Sequence, residues 1–179
     1  MAEMETPELT IPVGENDHAA GSETAQITLV EYGDYECPHC GRAYPVVKKI
    51  QEKMGDKLRF VFRNFPLTQA HPNALHAAEA AEIAAQQGKF WEMHDILFEN
   101  QNALDDESLT AYAEKIGLDV EKFTEDLEND TFEEKVRADF MGGLESGVNG
   151  TPTFFIDGVR YNNAVDYETL LGVLENSKA

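Results

Sequence analysis

The chain has 179 residues, 42% of them apolar, and a formal net charge of -20 from 34 acidic residues against 14 Lys plus Arg. That length and apolar content suit one core or one domain carrying an insertion, and the acidic balance excludes nucleic acid and anionic lipid as natural partners. The acids are spread along the chain, which reads as a heavily solvated surface, with adaptation to salt as the alternative. No apolar run reaches the length of a membrane-spanning helix, so no membrane insertion is expected.

In chain order, residues 1–22 show no periodicity and hold two prolines, which predicts a mobile or loosely docked N-terminal arm. Ile27, Leu29 and Glu31 alternate with Thr28, Val30 and Tyr32 as a central strand would. From Pro38 the period becomes helical through Ala43, Val47, Ile50 and Met54; Pro45 should kink this helix and Gly55 should end it. LRFVFRNF over residues 58–65 predicts a second strand, parallel to the first through a right-handed crossover.

Residues 66–147 carry only helical patterns. These cover 73–87, 89–100 with Phe90, Trp91 and Phe98 as core, a stripe through Leu109, Tyr112, Ala113 and Ile116, and a stretch with Val120, Phe123 and Leu127. A Thr131–Glu134 capping box is predicted ahead of a helix through Val136 and Phe140. Strand signals return in GTPTFFIDGVRY, with Asp157-Gly158 as a hairpin turn, and Tyr167, Leu170, Leu171 and Leu174 form a closing helix.

Two cysteines only, Cys37 and Cys40, are too few for a four-thiolate cage, and none of the five histidines forms an H-x3-H pair, so no metal site is expected. Cys37 falls where strand yields to helix, with Pro38 at the first helical position. Free N–H groups and the helix dipole favour a thiolate there, and a protonated or donor His39 would add to that. Cys40, three residues on, is placed to form a disulfide with Cys37 and to resolve a mixed disulfide. Asp34 and Glu36 flank the site as solvated loop residues whose charge would oppose the dipole. His71 and His76 read as surface or first-turn residues, and Tyr35 with the turn at Gly147–Gly150 as the rim of a peptide groove.

The CPHC pair opening a helix after an apolar strand, with VEYGDYECPHCGRAYP, GKFWEMHDILFENQ and GVNGTPTFFIDG, resembles the DsbA-like thiol-disulfide oxidoreductases of the thioredoxin superfamily. The resemblance spans roughly residues 15–176. It implies an α/β thioredoxin-like fold with a large all-helical insertion: a thioredoxin-like domain over 23–65 and 148–179, and a helical subdomain over 66–147. It further implies that Thr151-Pro152 is the family's cis-proline motif, a clamp for extended substrate, and that Glu31 is a buried acid suited to take the proton of Cys40.

The expected activity is therefore that of an oxidase passing a Cys37–Cys40 disulfide to cysteine-containing substrate proteins through a mixed disulfide at Cys37. No cofactor beyond that disulfide, a redox partner that restores it, and a monomeric state are expected. A reductase or isomerase is the alternative, because Thr precedes the proline. A non-catalytic metal- or peptide-binding protein is the rival from another class. The expected compartment is periplasmic or extracytoplasmic if a signal peptide was removed, and cytoplasmic if Met1 is the native start.

Overall fold

The computed structural model describes residues 7–177. At its centre lie two parallel strands, β2 (Ile27–Gly33) and β3 (Leu58–Asn64), paired from Ile27 opposite Leu58 to Gly33 opposite Asn64 and joined through α1 (Pro38–Met54). Alternation along β2 sorts its side chains between two cores. Ile27 and Leu29 share a cluster with Phe60, Phe62 and the α1 residues Cys40, Ala43, Val47 and Ile50, whereas Val30 and Tyr32 pack with Val61, Phe65 and Phe155 on the opposite face. Glu31 has the parity of Leu29, so its carboxyl is carried beneath α1. α1 runs through Pro45 as one helix and ends at Gly55, whose φ of 52° is a left-handed conformation that glycine adopts at low cost.

The sheet continues antiparallel through β4 (Thr153–Ile156), beside β2, to β5 (Val159–Tyr161). The turn between them is Asp157-Gly158, both at positive φ, as the two-residue hairpin reading requires. Between β3 and β4 stand five helices, α2 (Ala74–Gln86), α3 (Phe90–Glu99), α4 (Asp106–Lys115), α5 (Val120–Glu128) and α6 (Glu133–Glu145), with no strand among them. α3 sets Phe90, Leu97 and Phe98 into the core beneath α1. α6 covers the other face, where Phe140 stacks on Phe65 and the absence of a side chain at Gly143 admits Phe65 and Tyr32. α7 (Tyr167–Asn176) closes the chain, burying Leu170 and Leu174. The fold is α/β and thioredoxin-like with a helical insertion. No described helix is long and apolar enough to cross a membrane.

Two expectations need correction. The Thr131–Glu134 capping box does not form: Phe132 is the N-cap of α6, without a side-chain cap, and Thr131 N–H instead donates to the Asp126 carbonyl at the end of α5. The N-terminal arm expected over 1–22 is docked from Pro7 onward, residues 1–6 lying outside the described part. His18–Ala20 forms β1, an antiparallel edge strand on β3, and Glu8 bridges to Val159 at the far edge.

A charge on β3 holds this segment. Arg63, 4% exposed, donates from Nε and Nη2 to the two Asp17 carboxylate oxygens at 2.8 and 2.9 Å, from Nη1 to the Ile11 carbonyl and the Tyr32 hydroxyl, and from Nη2 to the Pro12 carbonyl. Removing one partner of such a buried pair costs about 3–5 kcal/mol. Arg63→Ala should therefore lower the unfolding free energy by about 3 kcal/mol in a denaturant titration and open the segment before β1 to protease. An unchanged midpoint with an unchanged cleavage pattern would contradict this role.

Candidate active site

Cys37 is the N-cap of α1, with extended backbone (φ -69°, ψ 124°) and Pro38 immediately inside the helix. Its amide donates to the Asp34 carbonyl and its own carbonyl accepts from Gly41 N–H, so the sulfur sits where the helix presents free N–H groups. Cys37 is 3% exposed and Cys40 fully buried, and both are free thiols.

The two sulfurs have opposite electrostatics. The Cys37 thiol is lowered to about 5, first by the hydrogen bond from the Cys40 thiol; burial opposes this, while Thr151 and the backbone N–H groups of Cys40 and His39 reinforce it. Cys40 is pushed well above the usual thiol range, first by burial, then by donating to Cys37 and by the charges of Glu31 and Cys37, against the Asp34 N–H at 3.5 Å. Glu31, 3% exposed, has one carboxylate oxygen without a hydrogen-bond partner, and its carboxyl is raised to about 8 by burial and, second, by the negative charge of Cys37. Beside it a cavity of about 10 Å³, lined among others by Tyr44, Lys48, His94 and Phe98, has the space of a single water.

The Thr151-Pro152 bond is cis and brings the Thr151 carbonyl to 3.7 Å from Cys37 Sγ. Thr151 and Pro152 line an open groove of about 330 Å³ with His39, Arg42, Ala43 and Val165, directly beside the reactive sulfur. The structure thus brings Cys37, Pro38, His39, Cys40, Glu31, Thr151 and Pro152 into one locality. His39 enters differently from the expectation. Its ring is exposed and Nδ1 faces the Arg42 guanidinium, which can only donate, so that nitrogen accepts; it is the His39 backbone N–H that supports the thiolate.

Three side chains that organise the site were not assigned this role from the sequence. Asp34 is not a solvated loop residue but 1% exposed, accepting from Glu36 N–H, Leu67 N–H and His71 Nδ1, which ties the turn before Cys37 to the chain leaving β3. Gln101, just beyond α3, donates from Nε2 to the carbonyls of Tyr35 and Cys37 at 3.0 and 2.8 Å, and Gly41 leaves it room, since a Cβ there would lie 2.0 Å from Gln101 Oε1. Tyr35 is no groove rim: it is 1% exposed, packed on Phe62 and Phe98, with its hydroxyl on His94 Nδ1. Such links carry no signature, because each joins residues far apart in the chain.

A thiol at a helix N-terminus, a buried partner thiol, an acid beneath them and a cis-proline beside them define a thioredoxin-fold protein with a thiol pair at the site. A family profile described as thioredoxin matches residues 14–176, nearly the whole chain. Among solved structures, BdbD from Bacillus subtilis superimposes with a TM-score of 0.82 at 26% identity over 95% of both chains. A thioredoxin-like oxidoreductase from Silicibacter pomeroyi DSS-3 gives 0.81 at 26% identity, over 92% of this chain and 94% of that one. Alpha-DsbA1 of Wolbachia pipientis shares the fold, with a TM-score of 0.79 at 23% identity over 96% and 94% of the two chains. The chain belongs to the thioredoxin superfamily and is DsbA-like within it. Curated relatives include the Na+/H+ antiporter NhaA 1 of Salinispora arenicola, 42% identical over 173 residues; these cover 96% of this chain but 26% of that protein, so the chain spans about a quarter of the length of such relatives.

Proposed function

We propose that this protein is a thiol-disulfide oxidoreductase acting as an oxidase, which passes a Cys37–Cys40 disulfide to cysteine-containing substrate proteins. The observation that carries the reading is the asymmetry of the pair: one thiol lowered to about 5 and its neighbour pushed far up. A stabilised Cys37 thiolate makes the dithiol form the more stable one and the disulfide correspondingly oxidising.

In the forward step a substrate thiolate attacks Cys37 Sγ, a substrate–Cys37 disulfide forms, and the Cys37–Cys40 bond breaks with its electron pair on Cys40. That sulfur is buried and unfavourable as an anion, and Glu31, whose carboxyl holds its proton up to about pH 8, is the group to neutralise it. A second substrate thiolate then attacks the substrate sulfur of the mixed disulfide. Cys37 leaves as a thiolate, the substrate gains its disulfide, and two electrons remain on the Cys37–Cys40 dithiol. The groove between Pro152, Val165 and Arg42 supports docking of an extended peptide against Thr151. A redox partner must then take those electrons.

The reduction potential tests this reading, measured by equilibrating the protein in glutathione buffers and quantifying free thiols. A value near about -120 mV is expected of a strong oxidant, whereas one near about -270 mV would make the protein a thioredoxin-like reductase. No redox transition at all would remove the reading altogether.

A further inference from the structure

A second group of ionisable side chains stands in the helical insertion, outside the thiol site. His76 and Glu79 lie one turn apart on α2, and Asp130, at φ 50° between α5 and α6, folds its carboxylate over them. His76 Nε2 is 3.5 Å from Asp130 Oδ1 and 4.0 Å from Glu79 Oε2, and one ligand atom from each of the three residues lies within 4.8 Å of the other two. On the other edge of the ring, Nδ1 is 2.6 Å from Asp106 Oδ1, at the start of α4. A carboxylate only accepts, so Nδ1 donates to Asp106, while Nε2 faces Glu79 and Asp130; against burial, these three carboxylates raise the ring's pKa, and Nε2 becomes a ligand when a cation displaces its proton.

The independent observation is Glu79. The residue is fully buried, and neither carboxylate oxygen has a hydrogen-bond partner. Among the described residues no lysine or arginine pairs with Glu79, Asp106 or Asp130, and Glu133 adds further negative charge nearby. Burying a carboxylate without donors is costly and facing it with a second carboxylate costs more, and burial together with Asp130 raises the Glu79 carboxyl to about 8, against the influence of His76. A divalent cation at their centre would satisfy all three at once. Tetrahedral zinc, with bonds of about 2.0–2.2 Å, separates its ligand atoms by about 3.4 Å, so the 3.5 and 4.0 Å spacings need only small side-chain rotations. Asp106 has the place of the outer carboxylate that fixes the tautomer and ring orientation of a metal-bound histidine.

We propose that His76, Glu79 and Asp130 form a divalent transition-metal site, suited first to zinc, with Asp106 orienting His76. The imidazole and two carboxylates match zinc chemistry, and the exposed side of Asp130, whose side chain is 45% exposed, leaves a fourth position to water. Bound metal would tie α2, the start of α4 and the α5–α6 connection together, stabilising the helical insertion rather than taking part in thiol exchange. The net charge of -20 raises local cation concentration around the site.

The test uses the full chain with Cys37 and Cys40 oxidised to the disulfide, so that no thiolate competes, stripped of metal and titrated with Zn²⁺ against a chromophoric chelator. Uptake of one equivalent, with a rise in melting temperature, is expected. His76→Gln should weaken it at least about 100-fold, and Asp106→Asn about tenfold through the lost orienting bond. Asp130→Asn keeps a residue that tolerates positive φ, so its loss of zinc affinity would report the ligand and not the backbone. Co²⁺ should give the visible spectrum of a low-coordinate site in the native protein and lose it in His76→Gln. No stoichiometric uptake, or uptake unchanged in both His76→Gln and Asp130→Asn, overturns the site. So does a Glu79→Gln variant stabilised equally with and without zinc, which would mean that His76 merely pairs with carboxylates.

Discussion

Cys37→Ser is expected to reduce disulfide exchange to the uncatalysed background, a loss of about three orders of magnitude or more, because it removes the thiol that substrate attacks while Cys40 stays buried. Cys40 is fully buried, whereas Cys37 Sγ lies 3.7 Å from the carbonyl of Thr151, a residue of the groove. Cys40→Ser should behave differently: it cannot form the internal disulfide, but its Cys37 thiolate still attacks a substrate disulfide, forming a mixed disulfide and releasing one substrate thiolate, and with the resolving thiol gone these adducts accumulate on a non-reducing gel. Glu31→Gln should retain both thiols and slow turnover at neutral pH by about 100-fold, since an amide cannot hand a proton to the departing Cys40 sulfur. Cys37→Ser that retains exchange, together with Cys40→Ser that traps nothing, would sink the assignment of roles; a Glu31→Gln variant with native turnover would sink only the proton transfer.

The second large effect is on stability against pH. In the reduced protein the Cys37 thiol is lowered from an ordinary 9 to about 5. A depressed folded-state value means that the unfolded chain binds the extra proton between those limits, so stability is lost as pH falls through about 5 and is fully present above about 9. The slope cannot exceed about 1.4 kcal/mol per pH unit for one proton, and solvent reaching the sulfur screens it below that bound. Glu31 works the other way. Its carboxyl is raised from 4.5 to about 8, so its contribution is present below about 4.5 and is lost as pH rises through about 8. Glu31 titrates in both redox forms, and only the part of its shift due to the Cys37 charge is peculiar to the reduced one. The reduced-minus-oxidised difference in unfolding free energy, from denaturant titrations of both forms, should therefore grow from pH 5 toward pH 8. Above pH 9 the raised Cys40 thiol should erode it. A difference that stays flat between pH 5 and 8 would show that Cys37 is not held as a thiolate.

Much of the site was legible because it rests on local rules. A strand that hands over to a helix at Cys37-Pro38 places the sulfur at the helix N-terminus whatever surrounds it, and the i, i+3 spacing puts Cys40 one turn below. Period-two alternation through Leu29 and Glu31 carries the glutamate to the face that α1 covers. Asp157-Gly158 specifies its own turn through positive φ. The misread residues depend on neighbours distant in the chain. A short polar segment such as His18–Ala20 has no strand signal strong enough to announce itself, yet it pairs because β3 would otherwise present an open edge, and because Arg63 needs Asp17 and the Ile11 and Pro12 carbonyls once buried. Thr131 has capping chemistry but is taken up by the end of α5 before α6 begins.

The sequence by itself determined the α/β order, the helical insertion and the thiol pair, since each follows from periodicity, punctuation or near-neighbour spacing, whereas the acid beneath the pair was implied by the family resemblance. Tertiary structure alone decided which polar groups hold that site in place. Gln101 on the Cys37 and Tyr35 carbonyls and Asp34 on the Leu67 amide and His71 join residues about 30 to 65 positions apart. Buried polar groups must find partners wherever the packed backbone presents them, and that demand leaves no periodic mark in the chain.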